Sequence, residues 1–293
     1  MIRSKSKRKA GLILTLPSFI VVFAFLIYPI IYLLRMSFYD YSPLRSLENI
    51  FVGFENYKWL LSSDIVAHSL LVTLEFTIIS VTIEVVLGLI VATLMTKLLL
   101  DGRTLFDKIF CSIINGAFIL PFATPAISAA VSWKMLLQPS FGPVDAFLNN
   151  QIAWFSEYPL FSIIIADAWK MTPMVMFLFL AGILSIDQAQ FEAAKIDGAT
   201  AFQEFIYLTL PSIKPVLGVT TAFRAVDAFT KVFDIVYMTT GGGPGNDTQV
   251  FPLLIWKTAF DHLRFGQAST LAVAGIFISL LLSGVLLLIR RKA

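Results

Sequence analysis

The chain has 293 residues, 57% of them hydrophobic and 14% charged, with a formal net charge of +3. A soluble domain averages roughly 45–50% apolar and about 25% charged residues, so lipid is the expected solvent and no nucleic-acid partner is expected. Cys111 is the single cysteine; an internal disulfide is impossible, and packing is its default role.

Six apolar segments are long enough to cross about 30 Å of hydrocarbon: 12–34, 69–96, 109–133, 159–184, 214–237 and 267–289. With no long linker, low-complexity tract or internal repeat, they read as one all-α integral membrane domain over 12–289. A basic segment, 1–11, precedes it and a short tail, 290–293, follows. The run after "RSKSKRK" is too long for a signal-peptide core and lacks a small-residue cleavage site, so it reads as a retained span.

Basic residues set the orientation. A cytoplasmic N-terminus places Arg3, Lys5, Lys7, Arg8, Lys9, Lys97, Arg103, Lys108, Lys195, Lys214, Arg290, Arg291 and Lys292 inside. Arg35, Arg45, Lys58, Lys134, Lys257 and Arg264 then fall outside, an excess of about two to one in the expected direction. Both termini then face the cytoplasm, with the loop at 185–211. The loops carrying "FVGFENY" (51–57) and "TTGGGPGNDT" (239–248) lie outside.

Several spans carry groups that a plain anchor does not need. The second contains Glu84, which can pair with a basic residue of a neighbouring helix. Pro121 and Pro125 interrupt the third and Pro173 the fourth, and such kinks are tolerated where neighbours or a water-lined cavity satisfy the freed carbonyls. Asp167 and Lys170 share a face of the fourth span. In the fifth, Arg224, Asp227, Lys231 and Asp234 fall at i, i+3, i+7 and i+10, on one helical face with alternating signs. An ionisable group at the bilayer centre costs roughly 2.5–3.5 kcal/mol on insertion scales and normally faces a cavity or a partner. Two readings stand: ion pairs that lock helices together, or a solute path in the outer half of the membrane.

Between the fourth and fifth spans runs "EAAKIDGATAFQEFIYLTLP", from Glu192 to Pro211. Ser185 with Gln188, and Thr200 with Gln203, read as two capping boxes. The first opens a helix over 186–196 whose apolar stripe is Ile186, Ala189, Ala193 and Ile196; the second opens a helix reaching about Thr209, with Phe202, Phe205 and Ile206 on its face. Gly198 suits the left-handed corner between them, and Pro211 and Pro215 bracket the entry to the fifth span. A hairpin lying on lipid would present Lys or Arg to the anionic leaflet, whereas Glu192, Asp197 and Glu204 outnumber Lys195 here, which suits a protein partner with a basic pocket.

"EAAKIDGA" followed by "LP" at Leu210–Pro211 resembles the EAA loop of permease subunits of bacterial ABC importers. "FVGFENY", "DAWKMTP", "FDIVYMTTGGGP" and the late "AF…GQAS" extend the resemblance over nearly the whole chain, toward the maltose-permease-like branch. The loop between the first two spans is only about 35 residues, so a separate periplasmic docking domain is absent. The resemblance implies a type I ABC importer permease fold in the bacterial inner membrane. It implies a second permease subunit as heterodimer partner, two ATP-binding subunits and an extracytoplasmic solute-binding protein. Glu192, Ala193, Ala194, Asp197, Gly198 and Ala199 would couple to the ATPase. Asp167, Lys170, Met171, Met174, Arg224, Asp227, Ala228 and Lys231 would line the solute path. The chain would bind no cofactor, with ATP and Mg used by the partners, since "GGGPGND" lacks the lysine and Ser/Thr of a nucleotide site and reads as a flexible turn cluster. The solute would be a sugar or oligosaccharide, or else glycerol phosphate or an acidic saccharide. An ion-coupled transporter would have no reason for an EAA loop. A membrane-embedded enzyme finds no nucleophile–base pair or metal spacing around His68 and His262.

Overall fold

The computed structural model describes residues 14–101 and 105–292. The basic segment 1–11, Arg103 and Ala293 lie outside the described residues, as do the side chains of Lys108, Cys111 and the basic residues 290–292. Two compact units divide the chain, one formed by residues up to Val66 with Leu254–Phe277 and the other by Ala67–Leu253 with the residues after Phe277.

In the first unit, helix α1 (Leu14–Met36) is long and apolar enough to span a bilayer, and its most apolar stretch is wholly exposed. Pro29 cannot donate a backbone hydrogen bond, and the helix widens just before it into a π turn over Phe23–Ile27. A hairpin follows, β1 (Tyr39–Ser42) against β2 (Ser46–Phe51), antiparallel with Tyr39 opposite Phe51. The "FVGFENY" segment clamps this corner. Buried Asn56 donates from Nδ2 to the Ser37 carbonyl at 2.9 Å and to the Tyr39 carbonyl at 3.0 Å. The Tyr57 hydroxyl lies 2.7 Å from Ser37 Oγ. Gly266 of "GQAS" packs so close that a Cβ there would stand 2.0 Å from the Tyr39 carbonyl oxygen, so only glycine fits.

The second unit holds most of α2 (Asp64–Asp101), then α3 (Leu105–Ala123), α4 (Ala126–Leu136), α5 (Pro159–Leu184), α6 (Gln188–Ile196), α7 (Ala201–Lys231) and α8 (Phe233–Thr239). The last long helix, α9 (Phe265–Lys292), passes from the first unit into it. Five described helices are long and apolar enough to cross a membrane. The expected third span is a broken pair, α3 and α4, bent by 101° at Thr124–Pro125. Pro125, the residue that precedes α4, stops the ladder, and the two halves diverge.

One face of α2 carries Ser69, Thr73, Thr77, Ser80, Glu84, Gly88, Ala92 and Thr96 at spacings of three and four. It is the small and polar stripe along which membrane helices approach closely. Thr73, Thr77 and Thr96 return their hydroxyls to the carbonyls of Ser69, Thr73 and Ala92, which satisfies those three donors within the helix. Toward the "EAA" end, Ala92 and Met95 of α2, Val175, Met176, Phe179, Leu180 and Ile183 of α5, Phe191 of α6 and Ile213 of α7 form one buried apolar cluster.

Candidate functional site

The charges expected within the spans converge. Arg224 lies about 21 Å of helical rise beyond Leu210 on α7, and it is only 1% exposed. Its Nε donates to Glu84 Oε2 at 2.6 Å and its Nη2 to Glu84 Oε1 at 2.9 Å, a bidentate fork between α7 and α2. Nη2 also donates to Asp167 Oδ2 of α5, and Nη1 to Asp227 Oδ2 at 3.2 Å. The Ser80 hydroxyl bridges Glu84 Oε1 and Asp167 Oδ2, at 2.9 Å from each. Lys231 Nζ, largely exposed, reaches Asp227 Oδ1 at 2.6 Å.

Arg224, Asp167, Asp227 and Lys231 wall a cavity of about 250 Å³. Of the residues expected along a solute path, Asp167, Lys170, Met171, Arg224, Asp227, Ala228 and Lys231 line it. Met174 does not; it sits half-buried one turn further along α5. Phe122, Ala126, Val232, Asp234 and Ile235 complete the wall. The sequence reading missed Phe122 and Ala126 because they reach the cavity only through the break between α3 and α4. Asp234 belongs to a separate helix rather than to one continuous face of the fifth span, because α7 ends at Lys231 and α8 starts at Phe233. Lys170 turns toward the break. Its Nζ donates to the carbonyls of Thr124 at 2.8 Å and Phe122 at 3.2 Å, acceptors at the break between α3 and α4. A larger cavity of about 570 Å³, lined by Leu87, Phe118, Trp133, Trp169 and Thr172, is nearly all apolar and offers hydroxyl-rich solutes few directional partners.

The loop between α5 and α7 has two helices and a glycine corner, with corrections in detail. Asp187, not Ser185, caps α6, its Oδ1 accepting from the Ala189 N–H at 3.0 Å, so the helix begins at Gln188. A short side chain with an ionised acceptor, placed next to the first turn, outcompetes the more distant serine. The capping box Thr200–Gln203 forms as expected. Gly198 holds φ +76°, a left-handed corner. The second helix does not stop near Thr209. It continues through a π turn at Phe205–Thr209 into Leu210–Lys231, so Pro211 and Pro215 lie inside one helix. Pro211 has no N–H to give, and the local slip in register absorbs that loss.

Of the expected apolar stripe, Ile186 packs, half-buried, against the core cluster, whereas Ala189, Ala193 and Ile196 are exposed. Phe191 is the buried residue of α6, inserted among α2, α5 and α7. Ile196 is instead 86% exposed, and Phe202 of α7 is 74% exposed. Glu192, Ala193, Asp197 and Gly198 are exposed and Ala194 half-buried, while Ala199 lines a small recess with Thr96, Lys97 and Phe191.

The "TTGGGPGNDT" loop is not a loose turn cluster. Thr248 Oγ1 lies 2.7 Å from Thr240 Oγ1 and donates to the Gly243 carbonyl at 2.7 Å. The ring nitrogen of His68 lies 2.9 Å from the Asn246 carbonyl oxygen. Thr248, Gln249 and Val250 are buried.

This architecture defines a polytopic helical protein with a polar pocket inside its spans and a two-helix projection rooted in the same bundle. Residues 84–292 match the family of binding-protein-dependent transport system inner membrane components, and the chain belongs to that family. It is 36% identical over 266 residues to the trehalose/maltose transport system permease protein MalF of Thermococcus litoralis, covering 88% of this chain and 85% of that one. Against the trehalose transport system permease protein SugA of Mycobacterium tuberculosis it is 32% identical over 270 residues, covering 92% and 84%. In fold it matches a chain of a bacterial ABC transporter involved in import of the acidic polysaccharide alginate, with TM-score 0.83, 21% identity, and 99% and 98% of the two chains covered. The fold is that of type I ABC importer permeases, and the chain is a multi-pass protein of the inner membrane.

Proposed function

We propose that this chain is the passive permease subunit of an ATP-driven importer, passing a sugar or oligosaccharide delivered by an extracytoplasmic binding protein through the Arg224 pocket. The observation that carries this reading is the rooting of α6 by Phe191 in the same helices, α2, α5 and α7, that hold Glu84, Asp167 and Arg224. A push on the projection therefore reaches the pocket through packed side chains. Exposed Ile196 and Phe202, beside acidic Glu192 and Asp197, suit the groove of a nucleotide-binding subunit. Two copies of that subunit and a second permease would complete the complex, with ATP and Mg bound by the partners. Relatives named for trehalose and maltose support a saccharide solute.

The loop at 185–211 and both termini would be cytoplasmic, and 240–262 extracytoplasmic. In intact cells carrying a Cys111-free variant, a cysteine at position 246 should react with an impermeant reagent and one at 203 should not; the reverse pattern would overturn the orientation. The function itself is tested by co-purification with an ATP-binding subunit and by saccharide-stimulated ATP hydrolysis in proteoliposomes. Ion-gradient-driven uptake with no associated ATPase would replace it with a secondary transporter.

A further inference from the structure

We propose that Glu84 sets the charge specificity of the pocket, engaging Arg224 so fully that the path accepts uncharged, hydroxyl-bearing solutes and rejects anionic ones. The inference rests on the reading that this pocket is the solute path. Three cations line it, and each already has a partner within the chain. Arg224 uses four of its five N–H donors on three carboxylates, two of the four on Glu84. Lys170 is turned to the backbone carbonyls of Phe122 and Thr124. Lys231 is paired with Asp227.

Counting charge, Glu84, Asp167, Asp227 and Asp234 oppose Arg224, Lys170 and Lys231, four negatives against three positives. An incoming carboxylate, sulfate or phosphate would meet no vacant cation and would stand beside Asp167, Asp227 and Asp234, a repulsive element of the kind that creates specificity. A neutral saccharide meets the opposite situation. Its hydroxyls can donate to the remaining lone pairs of Asp167 and Asp227, and the apolar faces of its rings can rest on Phe122 and Met171.

Glu84 is 0% exposed and does not line the cavity. It acts through Arg224, and is therefore a positioning residue. Replacing it with the isosteric glutamine keeps the shape but removes one negative charge. The balance becomes three against three, and part of the guanidinium is freed for an anion.

The test uses the intact importer complex in lipid nanodiscs without its binding protein, with radiolabelled maltotriose and trigalacturonate as neutral and anionic probes of equal length. Wild type should retain maltotriose at least about tenfold better than trigalacturonate. Glu84→Gln should cut that ratio to about threefold or less, and Glu84→Asp, which keeps the charge, should preserve it. Equal retention of both probes by wild type overturns the inference, even if Glu84→Gln fails to assemble. So does an assembled Glu84→Gln that shifts both probes by the same factor, which is what a purely structural role would do. Met171→Trp separates the two levels of the argument. Retention that survives it, or no retention of either probe by wild type, removes the pocket from the solute path. Retention that it abolishes, with no charge preference in wild type, leaves the path standing and removes the role of Glu84.

Discussion

The projection at 185–211 and the Arg224 pocket use the same residue types in opposite ways. In the projection, Glu192 and Asp197 are exposed beside exposed Ile196, so charge and apolar surface remain available to another chain. In the pocket, Glu84 and Arg224 are sealed against each other, and the remaining cations are engaged within the chain. An exposed charge contributes little to folding and much to recognition, whereas a buried one must be matched at once or the helix does not stay in place.

The largest effect that would test this contrast belongs to Arg224→Gln. It leaves buried Glu84 and half-buried Asp167 without their cation, and loss of one partner of a buried pair costs about 3–5 kcal/mol. We expect a large drop in complex yield and thermal stability, read by size-exclusion chromatography and heat inactivation. The exchange Arg224→Asp with Asp227→Arg should not rescue assembly, because it puts a third carboxylate beside Glu84 and Asp167; a rescued yield would show that only the 224–227 pair matters.

Phe191→Ala comes next. The ring is buried among α2, α5 and α7, and truncating a buried Phe costs about 3 kcal/mol. Its distinctive consequence should be functional: the anchored end of α6 loosens and saccharide-stimulated ATP hydrolysis falls well below that of Phe191→Leu. Equal stimulation in both variants would break the mechanical link between projection and pocket.

Gly198→Val should cost about 1–3 kcal/mol, the strain of a β-branched residue at φ +76°. A Cβ at this corner would meet no atom of a non-adjacent residue within 4 Å, so the cost is conformational rather than steric crowding. The expected result is a complex that inserts but attaches its ATPase weakly, measured by pull-down. Glu192→Lys sits at the small end for folding, within about 0.5 kcal/mol as for most surface changes. It should nonetheless lower stimulated ATPase activity, because it reverses a charge offered to the partner. A change in complex stability larger than that of Gly198→Val would mean Glu192 is not a free docking charge.

Much of the projection was legible because its signals are local. Thr200 and Gln203 are three residues apart, and Gly198 sits at the end of a helical run, so cap and corner could be read without the rest of the chain. The misplacement of the first cap at Ser185 was also local, since Asp187 competes for the same turn. The inward face of α6 was not legible: Ala189, Ala193 and Ile196 have helical spacing, but Phe191 on another face fills the space left by α2, α5 and α7.

Amino-acid order alone determined the membrane environment, most of the spans, though neither the break in the third nor the early start of the fifth, and the two-helix projection with its glycine corner. Hydropathy, backbone capping and φ preferences depend on near neighbours, and near neighbours are what a sequence states. Only the tertiary structure decided that Glu84 meets Arg224, 140 residues away, that Lys170 closes the break at Thr124–Pro125, and that Phe191 rather than Ile196 turns inward. Those outcomes depend on the rotation of each helix about its axis and on how closely its neighbours pack. In lipid, an apolar surface satisfies several such rotations almost equally well, until buried charges and ring volumes select one.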